Sequence, residues 1–573
     1  MSSSLLARLL EHGAHTPHKT LYTYLHKGEN VGEILTYAAL AERVAQIALL
    51  LAECGYRGER ALLLYVNPLE FVESFLGCLA AGVTAVPVAV PSLKNLGSIV
   101  RIAADADIRC VLAGHRERHN LQPAFAALAG DLPWHTFVES ELVAIPADYR
   151  HIEATAAGRD DSVAFLQYTS GSTGQPKGVM VSHGNLEANE RIIAKAMRIH
   201  RDSVVIAWLP HYHDMGLIGN LLQPLYQGAQ CVLMQPADFI QKPIKWLRAI
   251  SRFAGTVSGG PNFAYDLCVN RIAPADCETL DLRRWEVAFT GAEPVRSATV
   301  ERFVARFAPH GLRSTSVFPC YGMAESTLFI AGAEQGAGAA AIALRADSLN
   351  VGQAVVRTDA DADGAASFIG CGAAADDTDV RIVHPERCAV LPDGHVGEIW
   401  VRGASVAQGY FGDPQASAHA FGAVAAGAPP QPYLRTGDLG TVVAGQLLIV
   451  GRLKDMLIVR GCNYYPQDIE ACAQQAGETL LPGGGAVFQC DERIVLLHEL
   501  TRQALRHDDP ARIACTVRAA VIERFGIILH DIVFIRPGQL PRTTSGKVRR
   551  ALCRRMYESR AFEPLDAATL LEV

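Results

Sequence analysis

Short apolar runs alternate with helical patterns along residues 1–452 of the chain. The runs include "ALLLYV", "TAVPVAV", "CVLAG", "VVIAWL" and "CVLMQ". Strands that are buried on both faces of a parallel sheet give such continuous apolar runs, and helices between them cover the sheet. Beyond "GTVVAGQLLIVGRLKDMLIVRG" the pattern becomes a shorter mixture of strands and helices. The pattern predicts an α/β fold with a large multi-layered N-terminal domain over residues 1–452, a hinge, and a small α+β C-terminal domain over residues 453–573.

One uncharged stretch, Phe75 to Leu93, has a length that could span a bilayer. Its two prolines and Gly82 instead predict a helix up to Ala81, a turn at Gly82 and a short buried strand through Val90. We therefore expect no membrane span.

Length and composition limit the classes of protein. A chain of 573 residues is too long for one core, and a formal net charge of −7 gives no general affinity for nucleic acid. The 14 cysteines are scattered without a CxxC pair, and the N-terminus is polar, without an apolar signal segment. Reduced thiols in a cytoplasmic protein fit this pattern best.

The stretch "YTSGSTGQPKGV", Tyr168 to Val179, is rich in glycine and hydroxyl residues and contains one lysine. It is not a Walker A loop, because the lysine follows a proline and precedes a glycine. The apolar segment "SVAFLQYT" before it and "GVMVSH" after it predict two strands, with a helix starting after Asn185. Inward-facing amides in such a turn form an anion nest, to which side chains add donors. The sequence predicts a polyphosphate site formed by Thr169, Ser170, Gly171, Ser172, Thr173, Gly174 and Lys177.

Four further stretches follow in a fixed order: "CYGMAES", "YLRTGDLG", "GRLKDMLIVRGCNYYPQDIE" and "LPRTTSGKVRR". Together with the loop they resemble the adenylate-forming superfamily of acyl-CoA synthetases, luciferases and peptide-synthetase adenylation domains. Within it the chain is most similar, over essentially its whole length, to the fatty acyl-AMP ligases. The variants that carry this similarity are "LPHYHDMGLIGNLLQPL", "SGGPNFAYDLC", "TGAEPV", "YGMAEST" and "NYYPQDIE".

An extra segment over about residues 344–367 strengthens this resemblance. It is similar to the insertion of fatty acyl-AMP ligases, which tethers the small domain and disfavours the rotation needed for thiolation of CoA. The resemblance implies activation of a fatty acid with ATP and Mg²⁺ to fatty acyl-AMP, and transfer of the acyl group to an acyl carrier protein or carrier domain in trans.

The resemblance also implies roles for individual residues. It assigns Thr169 and Glu325 to Mg²⁺, Lys547 to the substrate carboxylate and α-phosphate, and Lys454 to the hinge. The nucleotide site gains Gly291, Ala292, Glu293, Tyr321, Gly322, Met323, Asp438 and Arg452. His213, with a further catalytic role, would border the acyl site together with Asp214, Met215, Gly216, Ser258, Gly260, Asn262 and Phe263.

The chemistry of these residue types agrees with the implied roles. A carboxylate at Asp438 can accept two ribose hydroxyl protons, and Glu325 offers the hard oxygen that Mg²⁺ prefers. Lys547 lies in a glycine-containing turn, from which a long ammonium can reach a developing negative charge. For the arginines after it, Arg549, Arg550, Arg554 and Arg555, we expect a solvated basic surface instead.

Several alternatives remain at this stage. "HYHDMG" approaches a zinc pattern but lacks the last histidine, and "DADADG" (Asp359 to Gly364) copies the start of a calcium loop without its final glutamate. "ADSL" (Ala346 to Leu349) is similar to the stretch around the serine that carries phosphopantetheine in carrier proteins. The insertion around it leaves no room for the helical bundle of a carrier. An acyl-CoA synthetase would share every residue assigned to ATP, and a non-catalytic sensor of nucleotide or acyl-adenylate is the alternative outside enzymes.

Overall fold

A computed structural model describes residues 4–137, 142, 145–156, 161–169, 176–362, 364–426, 431–459, 462–477, 479–491, 493–543 and 546–562. Numbered in chain order, its strands are β1 Thr20–His26, β2 Asn30–Thr36, β3 Arg60–Leu64, β4 Thr84–Pro87, β5 Cys110–Ala113, β6 Trp134–His135, β7 Val163–Thr169, β8 Lys177–Ser182, β9 Val204–Ala207, β10 Gln230–Leu233, β11 Val257–Gly259, β12 Val287–Thr290, β13 Val317–Gly322, β14 Phe329–Gly332, β15 Ala341–Arg345, β16 Ala365–Ile369, β17 Ala373–Ala374, β18 Thr378–Val383, β19 Gly397–Gly403, β20 Leu434–Val443, β21 Gln446–Arg452, β22 Leu457–Val459, β23 Cys462–Tyr464, β24 Leu480–Cys490, β25 Arg493–Leu500 and β26 Asp531–Ile535.

The α-helices, numbered in the same way, are α1 Leu5–His15, α2 Tyr37–Glu53, α3 Pro68–Ala81, α4 Leu96–Asp105, α5 His115–Ala129, α6 Arg150–Ala156, α7 His183–Ala196, α8 Gln223–Gln227, α9 Pro236–Gln241, α10 Ile244–Arg252, α11 Asn262–Arg271, α12 Ser297–Phe307, α13 Pro414–Phe421, α14 Pro466–Gln475, α15 Ala504–His507, α16 Pro510–Phe525 and α17 Arg550–Glu558. A π-helix, Met215–Leu222, precedes α8.

Two large sheets form the centre of the N-terminal region. One has the order β17-β14-β13-β12-β11-β9-β10-β1-β2 and the other the order β6-β5-β3-β4-β7-β8. The pairs β3·β4, β3·β5, β9·β10 and β11·β12 are all parallel, as the apolar runs predict. The α/β fold class is therefore confirmed.

The uncharged stretch from Phe75 is divided as its prolines and glycine predict. Helix α3 ends at Ala81, and Gly82 follows in the left-handed conformation, at φ 70°, that glycine adopts without strain. Strand β4 begins at Thr84 but ends at Pro87, before the expected Val90, and Val88 and Val90 instead line a large cleft. Within the described residues, no helix is both long and apolar enough to cross a membrane.

The C-terminal part has a sheet and cores of its own. Strands β24, β25 and β26 form a three-stranded sheet. One hydrophobic cluster extends from Leu457 to Phe534 and includes Ile469, Val487 and Leu496, all of them buried. This packing agrees with the compositional change near residue 452. The boundary itself, between residues 1–452 and 453–573, remains a prediction.

The insertion forms a small antiparallel hairpin of β15 and β16, in which Leu344 pairs with Ala366. A 3₁₀ turn, Ala346–Ser348, follows β15. Among the described residues the motif "DADADG" lies between strands β15 and β16 without an α-helix on either side, unlike the helix–loop–helix frame of a calcium loop. Asp363 of that motif lies outside the described residues.

Candidate active site

A cleft of about 2350 Å³ lies between the N-terminal sheets and the C-terminal part. Many residues that the sequence assigns to the site or to the hinge line this cleft. They are Thr169, Lys177, His213, Asp214, Met215, Phe263, Ala292, Glu293, Tyr321, Gly322, Met323, Glu325, Asp438, Arg452, Lys454 and Lys547. Residues that are far apart in the chain are thus brought to one solvent-accessible space.

The two strands on either side of the predicted phosphate-binding segment pair with each other. Strands β7 and β8 are antiparallel, and Thr169 lies opposite Lys177 across the pair. Residues 170–175, which include Ser170, Gly171, Ser172, Thr173 and Gly174, lie outside the described residues. The helix after β8 begins at His183, earlier than expected, because Ser182 caps it and Asn185 completes the capping box.

Lys177, at the start of β8, lies between a carboxylate and an aromatic ring. Its ammonium is 3.2 Å from Oδ2 of Asp413 and 4.7 Å from the centroid of the Tyr410 ring. Asp413 also caps α13 by accepting a hydrogen bond from the amide of Ala416. These contacts hold the lysine at the cleft wall.

Glu325 lies in a 3₁₀ turn, Ala324–Ser326, directly after β13. The hydroxyl of Tyr410 donates a hydrogen bond to Oε1 of Glu325 at 3.0 Å. Burial raises the pKa of Glu325, whereas this hydrogen bond lowers it. No cluster of three or more metal-ligating side chains occurs within the described ranges.

Asp438 is fixed by two neighbours, one on β13 of the nine-stranded sheet and one on β21, the strand beside its own. The hydroxyl of Tyr321 donates to its Oδ2 at 2.9 Å, and Nε of Arg452 is 3.2 Å from Oδ1. The register of β20 and β21 places Asp438 opposite Arg452. Only 8% of Asp438 is exposed, so its carboxylate is held in one orientation at the cleft wall.

The segment after β12 forms another part of the wall. A methyl group on Gly291 would lie 2.7 Å from the carbonyl oxygen of Cys320, so only glycine allows this approach. Ala292 follows with φ 68°, a conformation that non-glycine residues adopt at a cost and that is frequent at binding sites. Glu293 and the neighbouring Met323 face the same cleft.

Lys547 enters the cleft from the C-terminal part. Its turn is closed by hydrogen bonds from the amide of Thr543 to the carbonyl of Lys547, at 2.7 Å, and from the amide of Lys547 to the Thr543 hydroxyl, at 3.0 Å. Gly546 has φ 85° and packs so closely on Phe263 that an added methyl would be 3.2 Å from the ring. The turn therefore rests on a residue of the N-terminal part.

The charge of Lys547 depends on the groups around it. Burial and then the positive charge of Arg452 lower the pKa of Lys547, whereas Asp214, Glu293 and Asp438 raise it. Three carboxylates thus face one ammonium across the cleft.

The "HYHDMG" segment leads into the π-helix. His213 Nδ1 lies 2.5 Å from Asp214 Oδ1. Burial raises the pKa of Asp214, but His213 and Lys547 outweigh it, so the pKa is below its ordinary value. His211 is buried, with Nε2 2.9 Å from the carbonyl oxygen of Tyr65, and burial lowers its pKa to about 4. Gly216 packs against Pro210, whose carbonyl oxygen would be 2.0 Å from an added methyl. His211 and His213 therefore contact different partners.

Ser258, Gly260 and Asn262, which the resemblance assigns to the acyl site, make their contacts within the protein, and their role toward the acyl chain stays a prediction. The Ser258 hydroxyl donates to the carbonyl of Ile206 at 2.6 Å and accepts from the Trp246 indole at 2.8 Å. Gly260 packs on Trp208, whose ring would be 2.5 Å from an added methyl.

Asn262 binds backbone groups in the same wall. Its side chain donates to the carbonyl of Pro294 at 2.9 Å and accepts from the amide of Arg296 at 3.0 Å. These hydrogen bonds are made within the wall, so Ser258, Gly260 and Asn262 support the cleft from behind. Phe263 and Val257 of the same segment do line it.

The basic tail also differs from expectation at one position. Arg550 donates two hydrogen bonds to Glu470, at 2.9 and 2.6 Å, and lies 3.7 Å from Asp455. Its side chain is only 21% exposed. Because Arg550 is paired with Glu470 and largely buried, the prediction of a solvated arginine is wrong there.

Tyr410 and Asp413 are site residues that sequence reasoning missed. They lie in "GYFGDP", where a glycine on each side of the aromatic pair reads as an ordinary turn. The glycine, aromatic and aspartate residues in that short stretch were the only local signal.

Comparisons with known proteins agree with this geometry. Residues 9–411 match the family described as AMP-binding enzyme, and residues 454–565 match the AMP domain of Disco-interacting protein 2-like proteins. The medium-chain fatty acid–acyl carrier protein ligase JamA of Moorena producens is 36% identical over 561 residues, spanning 96% of this chain and 94% of that protein. The long-chain fatty acid–AMP ligase FadD26 of Mycobacterium bovis is 35% identical over 99% of each chain.

Solved structures give the same result. A chain from a study of fatty acyl-adenylate ligases of E. coli and L. pneumophila superposes with a TM-score of 0.85 at 29% identity, covering 98% of this chain and 99% of that one. The L. pneumophila fatty acyl-adenylate ligase in complex with acyl adenylate and pyrophosphate has a TM-score of 0.75 at 33% identity, with 98% and 97% covered. The chain belongs to the AMP-binding, adenylate-forming enzymes and is an adenylating ligase of the fatty acyl-AMP ligase type.

Proposed function

We propose that the protein converts a fatty acid and ATP to fatty acyl-AMP and pyrophosphate, and then transfers the acyl group to the thiol of a carrier protein in trans. The observation that carries the adenylation step is the position of Lys547, which reaches the cleft that Asp438, Glu325 and Lys177 also line. Two relatives bear the name of medium-chain fatty acid–acyl carrier protein ligases, which supports a carrier as acceptor.

In the proposed reaction, a carboxylate oxygen of the fatty acid attacks the α-phosphorus of ATP. The bond from that phosphorus to the bridging oxygen breaks, and pyrophosphate leaves with the electron pair. The ammonium of Lys547 offsets the charge of the attacking carboxylate and of the α-phosphate oxygens, where negative charge grows in the transition state.

The other residues bind and orient the nucleotide in this proposal. The Asp438 carboxylate accepts the ribose hydroxyls, and the segment from Gly291 to Glu293 and Tyr321 enclose the adenine. Lys177 and the phosphate loop bind the β- and γ-phosphates that leave. Glu325 and Thr169 would hold Mg²⁺, which neutralises phosphate charge when bound.

We further propose that residues 453–573 move as a unit about Lys454 and that the insertion restrains this motion. Leu344 and Leu349 of the insertion pack in one cluster with Leu448 and with Tyr465 of the C-terminal part. The Tyr465 hydroxyl donates to the carbonyl of Leu349 at 2.9 Å, and the amide of Asn463 donates to Oδ1 of Asn350 at 3.2 Å. These contacts favour the placement in which Lys547 is in the cleft.

The test is mass spectrometry of the products from ATP, Mg²⁺ and a panel of fatty acids, with CoA, with a phosphopantetheinylated carrier protein, or with neither. We expect acyl-AMP in every reaction with a suitable fatty acid, and acyl carrier without appreciable acyl-CoA. Efficient acyl-CoA formation would identify an acyl-CoA synthetase, and absence of pyrophosphate release with every acid would favour a non-catalytic sensor.

A further inference from the structure

A short extended segment runs beside the strand that begins with Lys177. The amide of Met180 donates to the carbonyl of Gly409 at 2.9 Å, and the amide of Phe411 donates to the carbonyl of Gly178 at 2.8 Å. Tyr410, between them, forms an antiparallel bridge with Val179. The backbone around Tyr410 is thus fixed to the hairpin formed by β7 and β8, which we call the phosphate hairpin.

The same segment is bound to the turn that carries Glu325. The amide of Ala407 donates to the carbonyl of Glu325 at 2.9 Å, and the Tyr410 hydroxyl donates to Oε1 of Glu325 at 3.0 Å. The segment therefore contacts Glu325 through both backbone and side chain.

The face of the Tyr410 ring, which carries a partial negative charge, lies next to the Lys177 ammonium. The ammonium lies 4.7 Å from the ring centroid, within the range of a cation–π interaction. The Asp413 carboxylate, 3.2 Å from the same ammonium, is a separate partner of Lys177. The Tyr410 hydroxyl, in turn, donates to Oε1 of Glu325.

We propose that Tyr410 is a positioning residue that couples Glu325 to Lys177, so that the metal-binding carboxylate and the phosphate-binding ammonium are held at a fixed separation. The inference rests on the proposed role of both residues toward MgATP. Loss of the hydroxyl should weaken the metal dependence of nucleotide binding, and loss of the ring should weaken phosphate binding itself.

Two substitutions separate these contributions. Tyr410→Phe removes the hydrogen bond to Glu325 and keeps the ring beside Lys177, whereas Tyr410→Leu removes both. Tyr433→Phe is a matched control, because the Tyr433 hydroxyl also donates to a carboxylate, Asp379 Oδ2 at 2.7 Å, but Tyr433 does not line the cleft.

The readout is calorimetric ATP binding to the full-length protein, with excess EDTA and across a Mg²⁺ titration, alongside the melting temperature. For Tyr410→Phe we expect unchanged ATP affinity in EDTA and a Mg²⁺ midpoint raised roughly three- to tenfold, the range of one hydrogen bond. For Tyr410→Leu we expect weaker ATP binding in EDTA as well. The control should match wild type in both titrations.

A wild-type Mg²⁺ midpoint in Tyr410→Phe would overturn the proposal. An equal loss of ATP affinity by Tyr410→Phe with and without Mg²⁺ would also overturn the proposal, because it would indicate general damage to the fold. Failure of the wild-type protein to form acyl-AMP would instead contradict the proposed function, because ATP binding is measured here without any fatty acid.

Discussion

At the scale of single residues, Asp438 offers the most direct test of the nucleotide site. Asp438→Ala should weaken ATP binding by about 1.5–3 kcal/mol, the contribution of a charged hydrogen bond, and should lower kcat little at saturating ATP. Calorimetry measures the first effect and pyrophosphate release the second.

Asp379 provides a matched control for that substitution. It also accepts a tyrosine hydroxyl, from Tyr433, and an arginine, Arg402 at 2.8 Å, but it does not line the cleft. Asp379→Ala should leave ATP affinity unchanged. If Asp438→Ala binds ATP as tightly as this control, Asp438 does not contact the nucleotide.

Lys547 acts, in our proposal, on the transition state. Lys547→Ala should reduce the rate of adenylation by orders of magnitude and leave ATP affinity within a few-fold of wild type, because the N-terminal part holds the nucleotide. Adenylation near the wild-type rate in the alanine variant would remove Lys547 from the mechanism.

The pH dependence gives a second test of the same side chain. Since burial lowers the pKa of Lys547 below its ordinary 10.5, the protonated form is lost as pH rises through this lowered value. The adenylation rate should therefore decline on the alkaline side at a pH below the ordinary lysine range. Lys547→Arg, whose side chain stays charged, should be slower but should lack this decline. The same alkaline limb in both proteins would assign it to another group.

The role of a single residue can be predicted from sequence when its motif also specifies the direction of the side chain. Asp438 and Lys547 belong to motifs that point to one main chemical role for the side chain, and both residues line the cleft. Ser258 and Asn262 follow a motif too, but alternate residues of a short strand and a helix start face opposite ways, and these two face inward. Tyr410 depends on a backbone bridge to Val179 that no local pattern encodes.

At the scale of elements, α7 connects the phosphate hairpin with the turn of Glu325. Asn189 of α7 is fully buried, donates to the carbonyls of Ser326 and Phe329 at 3.3 and 3.1 Å, and accepts from the Phe329 amide at 3.1 Å. Thr327, between them, has φ 63°, a strained conformation for a β-branched residue.

Asn189→Ala should therefore destabilise the protein, by about 1–3 kcal/mol for each buried backbone group left without a partner. The expected result is a lower apparent melting temperature together with a weaker Mg²⁺ dependence of ATP binding. Asn120→Ala, at an exposed position within α5, is the control and should not lower the melting temperature. Equal melting temperatures for the two variants would show that α7 does not hold this turn in place.

The elements themselves were largely predictable because their signals are local. Apolar runs predicted the parallel strands, and Gly82 marked the end of α3. Helix α7 begins earlier than the sequence pattern predicts, because the capping box of Ser182 and Asn185 sets its start. Residues 170–175 were predicted to bind phosphate, and this stays a prediction.

At the scale of the whole molecule, the sequence indicated an insertion but not the surfaces that it joins. Those surfaces are assembled from distant parts of the chain: Leu439 and Leu448 on one side, and Tyr465 beyond the proposed hinge on the other. Gly451 contributes as well, since Tyr465 packs so closely that an added methyl would be 2.4 Å from its ring. Long-range packing of this kind has no signature in local spacing.

The insertion contacts lead to a prediction about the acyl acceptor. If they hold the C-terminal part in the placement that favours adenylation, a bias of about 3 kcal/mol would lower the thiolation-ready population by roughly two orders of magnitude. Replacing residues 346–364 by Asn-Gly should relieve this bias and keep the hairpin, because Arg345 and Ala365 are paired where a two-residue turn can close it.

With ATP, dodecanoic acid and CoA, this variant should form acyl-AMP at the wild-type rate and should also release acyl-CoA, both quantified by mass spectrometry. Tyr465→Phe, which removes only the hydrogen bond to the Leu349 carbonyl, should give a smaller increase in acyl-CoA. Tyr433→Phe should give none, since its partner Asp379 lies outside the insertion. If the shortened protein stays folded and adenylates normally but makes no more acyl-CoA than wild type, the insertion is not the barrier, and CoA must be excluded by the shape of its own route to the acyl-adenylate.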